Sequence, residues 1–128
     1  AGPGTMCPPS MAHLGVEVRH TIDEVVADAD VIMMLRIQRE RLQPGMMSTV
    51  NEYSRFYGLD LERLRLASPD VLVMHPGPIN RGVEMTPEVA DGEQSVILEQ
   101  VTNGVAVRMA LLYLLLGGES AGGEEDAS

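Results

Sequence analysis

Two clusters in this chain have the residue types and spacing to hold a small anion. The first, Arg36-Ile37-Gln38-Arg39-Glu40-Arg41, follows the apolar run Val31-Ile32-Met33-Met34-Leu35 without transition. Arg36 offers a planar fork for a carboxylate, and Gln38 supplies both a donor and an acceptor. If the chain continues strand-like, positions 36 and 38 point one way and Ile37 points inward. The second cluster is Met74-His75-Pro76-Gly77-Pro78-Ile79-Asn80-Arg81-Gly82-Val83-Glu84, after the apolar run beginning at Val71. Pro76 and Pro78 cannot donate to a ladder and fix φ, while Gly77 has no Cβ to restrict it. A stiff loop beyond the carboxyl end of a strand is where open α/β sheets bind ligands. The bland readings are a plain turn for the second cluster and a surface ion pair for Arg36. Arg39, Glu40 and Arg41 read as a solvated or salt-bridged helix start.

Other chemistries find less support. No pair among His13, His20 and His75 has metal-ligand spacing, and neither HExxH nor CxxC occurs. Cys7 has no evident base beside it and reads as an inert small residue. No glycine-rich phosphate motif follows a strand. Met33-Met34 and Met46-Met47 read as core filler or loop residues.

The elements that must carry these clusters alternate along the chain. Ser10 to Leu14 reads as a short helix with Ser10 as N-cap. Val16 to His20 alternates as an edge strand does. Thr21-Ile22-Asp23-Glu24 has capping-box spacing and opens a helix through Ala27. Val31 to Leu35 reads as a strand buried on both faces. Gln43-Pro44-Gly45 marks a turn, Ser48 to Tyr57 a helix closed by Gly58, and Asp60 to Leu64 a further helix. After the second cluster, Pro87 to Gly92 is a connector and Ser95 to Leu116 a long helix ended by Gly117-Gly118. Strands alternating with helices predict an α/β fold, a parallel sheet flanked by helices. Both clusters then leave the same sheet edge.

Composition bounds the partners. The 128 residues carry a net charge of −10, which disfavours nucleic acid or an anionic membrane surface. Four of the nineteen acids lie in the tail, at Glu119, Glu124, Glu125 and Asp126. There is no Trp, aromatics are 3%, and the core must be aliphatic. The longest apolar stretch, Val105 to Leu116, contains Arg108 and is too short to span a bilayer. A single cysteine excludes an internal disulfide and suits a reducing, cytoplasmic setting. The opening Ala1-Gly2-Pro3-Gly4 reads as a loop with no strand before it, as expected of a cut inside a larger protein.

Leu35 to Arg41 and Met74 to Gly82 closely resemble the aspartate-binding half of bacterial aspartate carbamoyltransferases. Gln100-Val101-Thr102-Asn103-Gly104-Val105-Ala106-Val107-Arg108-Met109 is similar to the C-terminal helix of the same family. The resemblance runs from about Gly2 to Leu116. It implies a Rossmann-like aspartate-binding domain, over residues 1–94 and lacking its first strand. The helix 95–117 is then expected to pack on an absent carbamoyl-phosphate domain, and 118–128 to be a disordered acidic tail.

The family transfers the carbamoyl group of carbamoyl phosphate to L-aspartate in pyrimidine synthesis, without metal or organic cofactor. By position, Arg36 resembles the arginine that grips an aspartate carboxylate, and Gln38 its neighbouring contact. Gly77 and Pro78 resemble the pair whose carbonyls hold the carbamoyl amino group, with a cis bond into Pro78. No catalytic residue is assigned within this chain, since the phosphate loop Ser-Thr-Arg-Thr and the polarising histidine of the family are absent. The resemblance also implies a homotrimer with sites shared between subunits, and an association with regulatory chains or dihydroorotase. Two alternatives stay open. An ornithine carbamoyltransferase would have His-Cys-Leu-Pro where this chain has His75-Pro76-Gly77-Pro78, and a non-catalytic homologue could serve as a scaffold with dihydroorotase.

Overall fold

The computed structural model describes residues 1–27, 29–38, 40, 42, 45 and 49–117. A 3-10 helix, Pro9–Leu14, is followed by α1 (Ile22–Val26), β1 (Val31–Met33), α2 (Val50–Tyr57) and α3 (Leu61–Leu64). Then come β2 (Leu72–Met74), α4 (Pro87–Ala90) and α5 (Ile97–Leu116). β1 and β2 pair in parallel, with Val31 opposite Leu72, Ile32 opposite Val73 and Met33 opposite Met74. The other edge of β2 is occupied by a loop segment. The Val73 amide donates to Gln94 O at 2.8 Å, and the Val96 amide donates to Val73 O at 3.0 Å. This is the parallel sheet with flanking helices that the alternation of elements predicts.

The core is aliphatic, as an almost aromatic-free sequence requires. Ile22 and Val26 of α1, Ile32 of β1, Leu64 of α3, Val73 of β2 and Val89 of α4 are buried together with Leu59, Val71, Met85 and Ile97. Each such side chain contributes roughly 1.5–3 kcal/mol relative to exposure. Local capping agrees with the sequence at two helices. The Thr49 hydroxyl accepts from the Glu52 amide at 3.1 Å, and Asp60 Oδ1 accepts from the Arg63 amide at 2.9 Å. The guanidinium of Arg63 then binds Asp23 Oδ1 at 2.8 Å, Gly58 O at 2.6 Å and Arg55 O at 2.9 Å, joining α1, α2 and α3. Gly58 ends α2 with φ −70°, so its value is not a left-handed turn. A Cβ there would stand 2.5 Å from Ser54 O and 2.9 Å from Val83 O.

Several expectations are corrected. The alternating stretch Val16 to His20 is not a strand; among the described residues its one main-chain to main-chain hydrogen bond is the Gly2 amide to Arg19 O at 3.4 Å, and without a ladder alternation alone does not make a strand. β1 is buried on one face only. Ile32 is buried, whereas Val31 and Met33 are 52% and 47% exposed, because the described residues supply a covering layer to one side. The Thr21 side chain makes no capping bond, so that box does not close. Pro8, not Ser10, is the N-cap of the first helix, and the long helix starts at Ile97 rather than Ser95. Ser48, Arg39, Arg41, Gln43, Pro44, Met46, Met47 and the tail 118–128 lie outside the described residues.

α5 joins the body by its first turns alone. Ile97 is its one buried residue, while Val105, Met109, Leu112 and Leu116 are exposed, with Leu98 and Leu115 above three-quarters. The stripe is apolar at helical spacing, as the sequence shows, yet nothing among the described residues covers it. No helix of the described residues is long and apolar enough to cross a membrane.

Candidate functional site

The parallel register puts the two clusters at one edge. The Met34 amide donates to Met74 O at 2.9 Å, the last rung of the sheet, and both chains leave it side by side. From there Arg36 is partly exposed, Ile37 is buried at 8% exposure, and Gln38 is exposed. The alternation expected of a strand-like continuation is therefore present although no ladder continues. Ile37 anchors the segment and its two polar neighbours face outward. Arg36 Nη1 stands 3.2 Å from Glu40 Oε1, so the guanidinium already holds a carboxylate, a mostly exposed one. An exposed pair of this kind is worth little and yields to a better-placed carboxylate.

The proline-bounded loop is held from beneath by groups that spacing alone did not single out. His75, fully buried, donates its main-chain N–H to Gln100 Oε1 of α5 at 2.8 Å. Its Nδ1 accepts the Gly77 amide at 2.8 Å, which requires Nδ1 to be unprotonated and leaves the proton of the neutral ring on Nε2. That Nε2 faces Glu84 Oε1 at 3.4 Å. Glu84, equally buried, accepts the Asn80 amide on the same oxygen at 2.7 Å. Burial pushes the His75 imidazole below its ordinary 6.5, and the Glu84 charge opposes that shift without reversing it. Among the described residues, neither His75 Nε2 nor Glu84 Oε2 has a hydrogen-bond partner. Gly77 has φ +68°, a left-handed conformation that favours glycine, and the Gly77–Pro78 peptide is cis, as the resemblance implies. Pro76 and Pro78 are exposed and Gly77 between them is partly so.

Among the described residues, one side chain bridges the clusters by a hydrogen bond. Asn80 Nδ2 donates to Ile37 O at 3.2 Å, the carbonyl flanked by Arg36 and Gln38. His75, Asn80, Glu84 and Gln100 are thus the site residues that motif reading left without a role. A lone histidine two residues before a glycine, and a lone acid between Val83 and Met85, were the available signals. Burial, which gives them meaning, is not written in the spacing. On the far side of the loop, Arg81 is committed to Asp91 by two bonds of 2.6 and 2.8 Å. Each partner shifts the other toward its charged form.

The arrangement is a sheet edge with a guanidinium and an amide on one loop and a partly exposed, proline-bounded loop beside it. It suits two small polar molecules brought side by side. Residues 10–115 match the family described as aspartate/ornithine carbamoyltransferase, Asp/Orn binding domain. The aspartate carbamoyltransferase catalytic subunit of Desulfosudis oleivorans is 60% identical over 124 residues, covering 97% of this chain and 40% of the relative. That of Syntrophotalea carbinolica is 62% identical over 118 residues, covering 92% and 38%. Among solved structures, aspartate transcarbamoylase from Trypanosoma cruzi in complex with carbamoyl phosphate superposes with TM-score 0.65 at 30% identity, over 80% of this chain and 32% of that one. Ornithine carbamoyltransferase from Pyrococcus furiosus gives 0.67 at 28% identity, over 84% and 34%. The chain thus spans about two-fifths of the length of the curated relatives it matches. With its parallel sheet and its Asp/Orn-binding match across nearly all described residues, this chain belongs to the aspartate/ornithine carbamoyltransferase family.

Proposed function

We propose that this chain is the amino-acid-binding half of an aspartate carbamoyltransferase. The whole protein would transfer the carbamoyl group of carbamoyl phosphate to the amine of L-aspartate, giving N-carbamoyl-L-aspartate and phosphate. The observation that carries the reading is the meeting of the two loops at one sheet edge, Arg36 and Gln38 from one and Gly77 and Pro78 from the other. Arg36 exchanges its Glu40 partner for a substrate carboxylate, and Gln38 orients the same molecule. The carbonyls of Gly77 and Pro78 accept from the carbamoyl NH2 group. The aspartate amine attacks the carbamoyl carbon, the bond to the phosphate oxygen breaks, and phosphate leaves with the proton that the amine sheds. Alignment of the two substrates supplies a large part of the rate. Stabilisation of the developing oxyanion and the phosphate falls to the part of the protein outside this chain. Pro76-Gly77-Pro78 after His75 and the aspartate in the names of the bacterial relatives favour aspartate over ornithine.

The exposed stripe of α5 is then the surface that packs on the carbamoyl-phosphate domain, residues 1–94 being the aspartate-binding domain. The word subunit in the relatives' names supports an assembly, which we read as a cytoplasmic homotrimer. The test is an assay of the full-length protein with carbamoyl phosphate and either aspartate or ornithine. Carbamoylation of aspartate is the expected result. Transfer to ornithine, or none to either, overturns the reading.

A further inference from the structure

We propose that Asn80 is a positioning residue that fixes the Arg36–Gln38 segment against the proline-bounded loop, and through it the separation of the two substrates. The inference rests on the reading above, in which those two loops hold different substrates. Asn80 uses both of its ends. Its side-chain Nδ2 donates to Ile37 O at 3.2 Å, and its main-chain amide donates to Glu84 Oε1 at 2.7 Å. Glu84 is fully buried and faces His75, whose Nδ1 holds the Gly77 amide. Hydrogen bonds join Gly77 to His75, and Glu84 through Asn80 to the carbonyl between Arg36 and Gln38, while His75 and Glu84 meet by a 3.4 Å contact that is not itself a hydrogen bond. Among the described residues, the Asn80–Ile37 bond is the one hydrogen bond joining residues 36–38 to residues 75–84.

Geometry explains why such a tie matters. Transfer between two bound molecules depends on near-attack placement, and misplacement by about 1 Å is costly. Residues 36–38 lie beyond the last rung of the sheet, so no ladder fixes their distance from the neighbouring loop. The buried Ile37 side chain anchors the segment inward, and Asn80 fixes it sideways. Asn80 needs to touch neither substrate to do this.

The experiment is steady-state kinetics on the full-length protein with Asn80→Ala and Asn80→Asp. Both remove the donor, and the aspartate also sets a carboxylate against the Ile37 carbonyl, so either variant that folds is informative. The kcat/KM for aspartate, counted per intact active site, is expected to fall about tenfold, the size of one lost hydrogen bond at an unpaired carbonyl, while the KM for carbamoyl phosphate stays within about twofold. A role confined to stability would lower the active fraction and leave both KM values and kcat per intact site alone, and that result overturns the proposal. So does a parallel rise of both. Arg36→Ala, measured alongside, separates the levels. If it lowers kcat/KM for aspartate and the Asn80 variants do not, the tie is wrong and the site reading stands. If Arg36→Ala has no effect either, the site reading itself fails.

Discussion

Nδ1 of His75 accepts the amide of Gly77 at 2.8 Å inside a fully buried environment, and this bond sets the protonation state the loop needs. Protonating the imidazole would put a proton on Nδ1 against a donor N–H and add a charge away from water. The His75 pKa is accordingly lowered from 6.5 by burial, with Glu84 opposing. A lowered folded value means that the unfolded chain binds the proton more readily. The contribution of neutral His75 is therefore complete above 6.5 and is lost as the pH falls from there through the lowered folded value.

We expect the denaturant midpoint of the full-length protein to decline on acidification below about 6.5. In His75→Asn, whose Oδ1 can still accept the Gly77 amide, that part of the decline should vanish. Equal pH slopes for both proteins between about 6.5 and 5 would show that His75 does not titrate with unfolding.

Arg63 should be the arginine whose loss costs stability instead of binding. It ties Asp23, Gly58 and Arg55 while its side chain is mostly buried, at 17% exposure. Arg63→Ala leaves two carbonyls without their donor and is expected to cost on the order of 2–3 kcal/mol. Arg63→Lys should recover only part of this, since a point charge cannot fork to three acceptors. Urea unfolding measures both, and wild-type stability in Arg63→Ala would contradict the assignment.

Much of this was legible before any coordinates, and the residues show why. Val71 to Met74 and the Pro-Gly-Pro loop announce a strand and its stop through covalent geometry alone, and the helix opening at Asp60 forms there, whereas the helix read from Ser48 begins at Val50 with Thr49 as its cap. What failed depended on distant partners. Val16 to His20 alternates correctly but finds no neighbouring strand, and Val31 and Met33 are apolar yet half exposed because only one side is covered. The site divides the same way. Arg36, Gln38, Gly77 and Pro78 stand out by residue type. His75, Glu84 and Asn80 acquire their roles from burial and from bonds between segments 43 residues apart.

The isolated 128-residue chain should behave as a molecule with an uncovered face. α5 leaves Val105, Met109, Leu112 and Leu116 exposed on one stripe and Leu98 and Leu115 on another. Contiguous apolar patches beyond several hundred Å² are uncommon on monomers. We expect self-association in light scattering at tens of μM, about the range where exposed surface aggregates, and binding of a hydrophobic dye. A dye-negative monomer would contradict this.

The same isolated chain is expected to carry no carbamoyltransferase activity. Holding one substrate without fixing the other gives no near-attack geometry. Product formed above the uncatalysed rate, in protein free of host enzyme, would overturn the division of labour between this half and the rest.

The measurement that bears most directly on the central claim is the aspartate dependence of carbamoyl transfer by the full-length protein carrying Arg36→Ala, beside the control Arg65→Ala. Arg65 lies exposed as the C-cap of α3, and among the described residues no hydrogen bond or ion pair joins its side chain to either loop. If Arg36 leaves Glu40 to hold a substrate carboxylate, kcat/KM for aspartate should fall by roughly 30- to 1,000-fold, corresponding to about 2–4 kcal/mol for a charge-assisted contact. Carbamoyl phosphate affinity should be nearly unchanged, and Arg65→Ala should match wild type. Equal effects of the two substitutions on kcat/KM for aspartate would contradict the account.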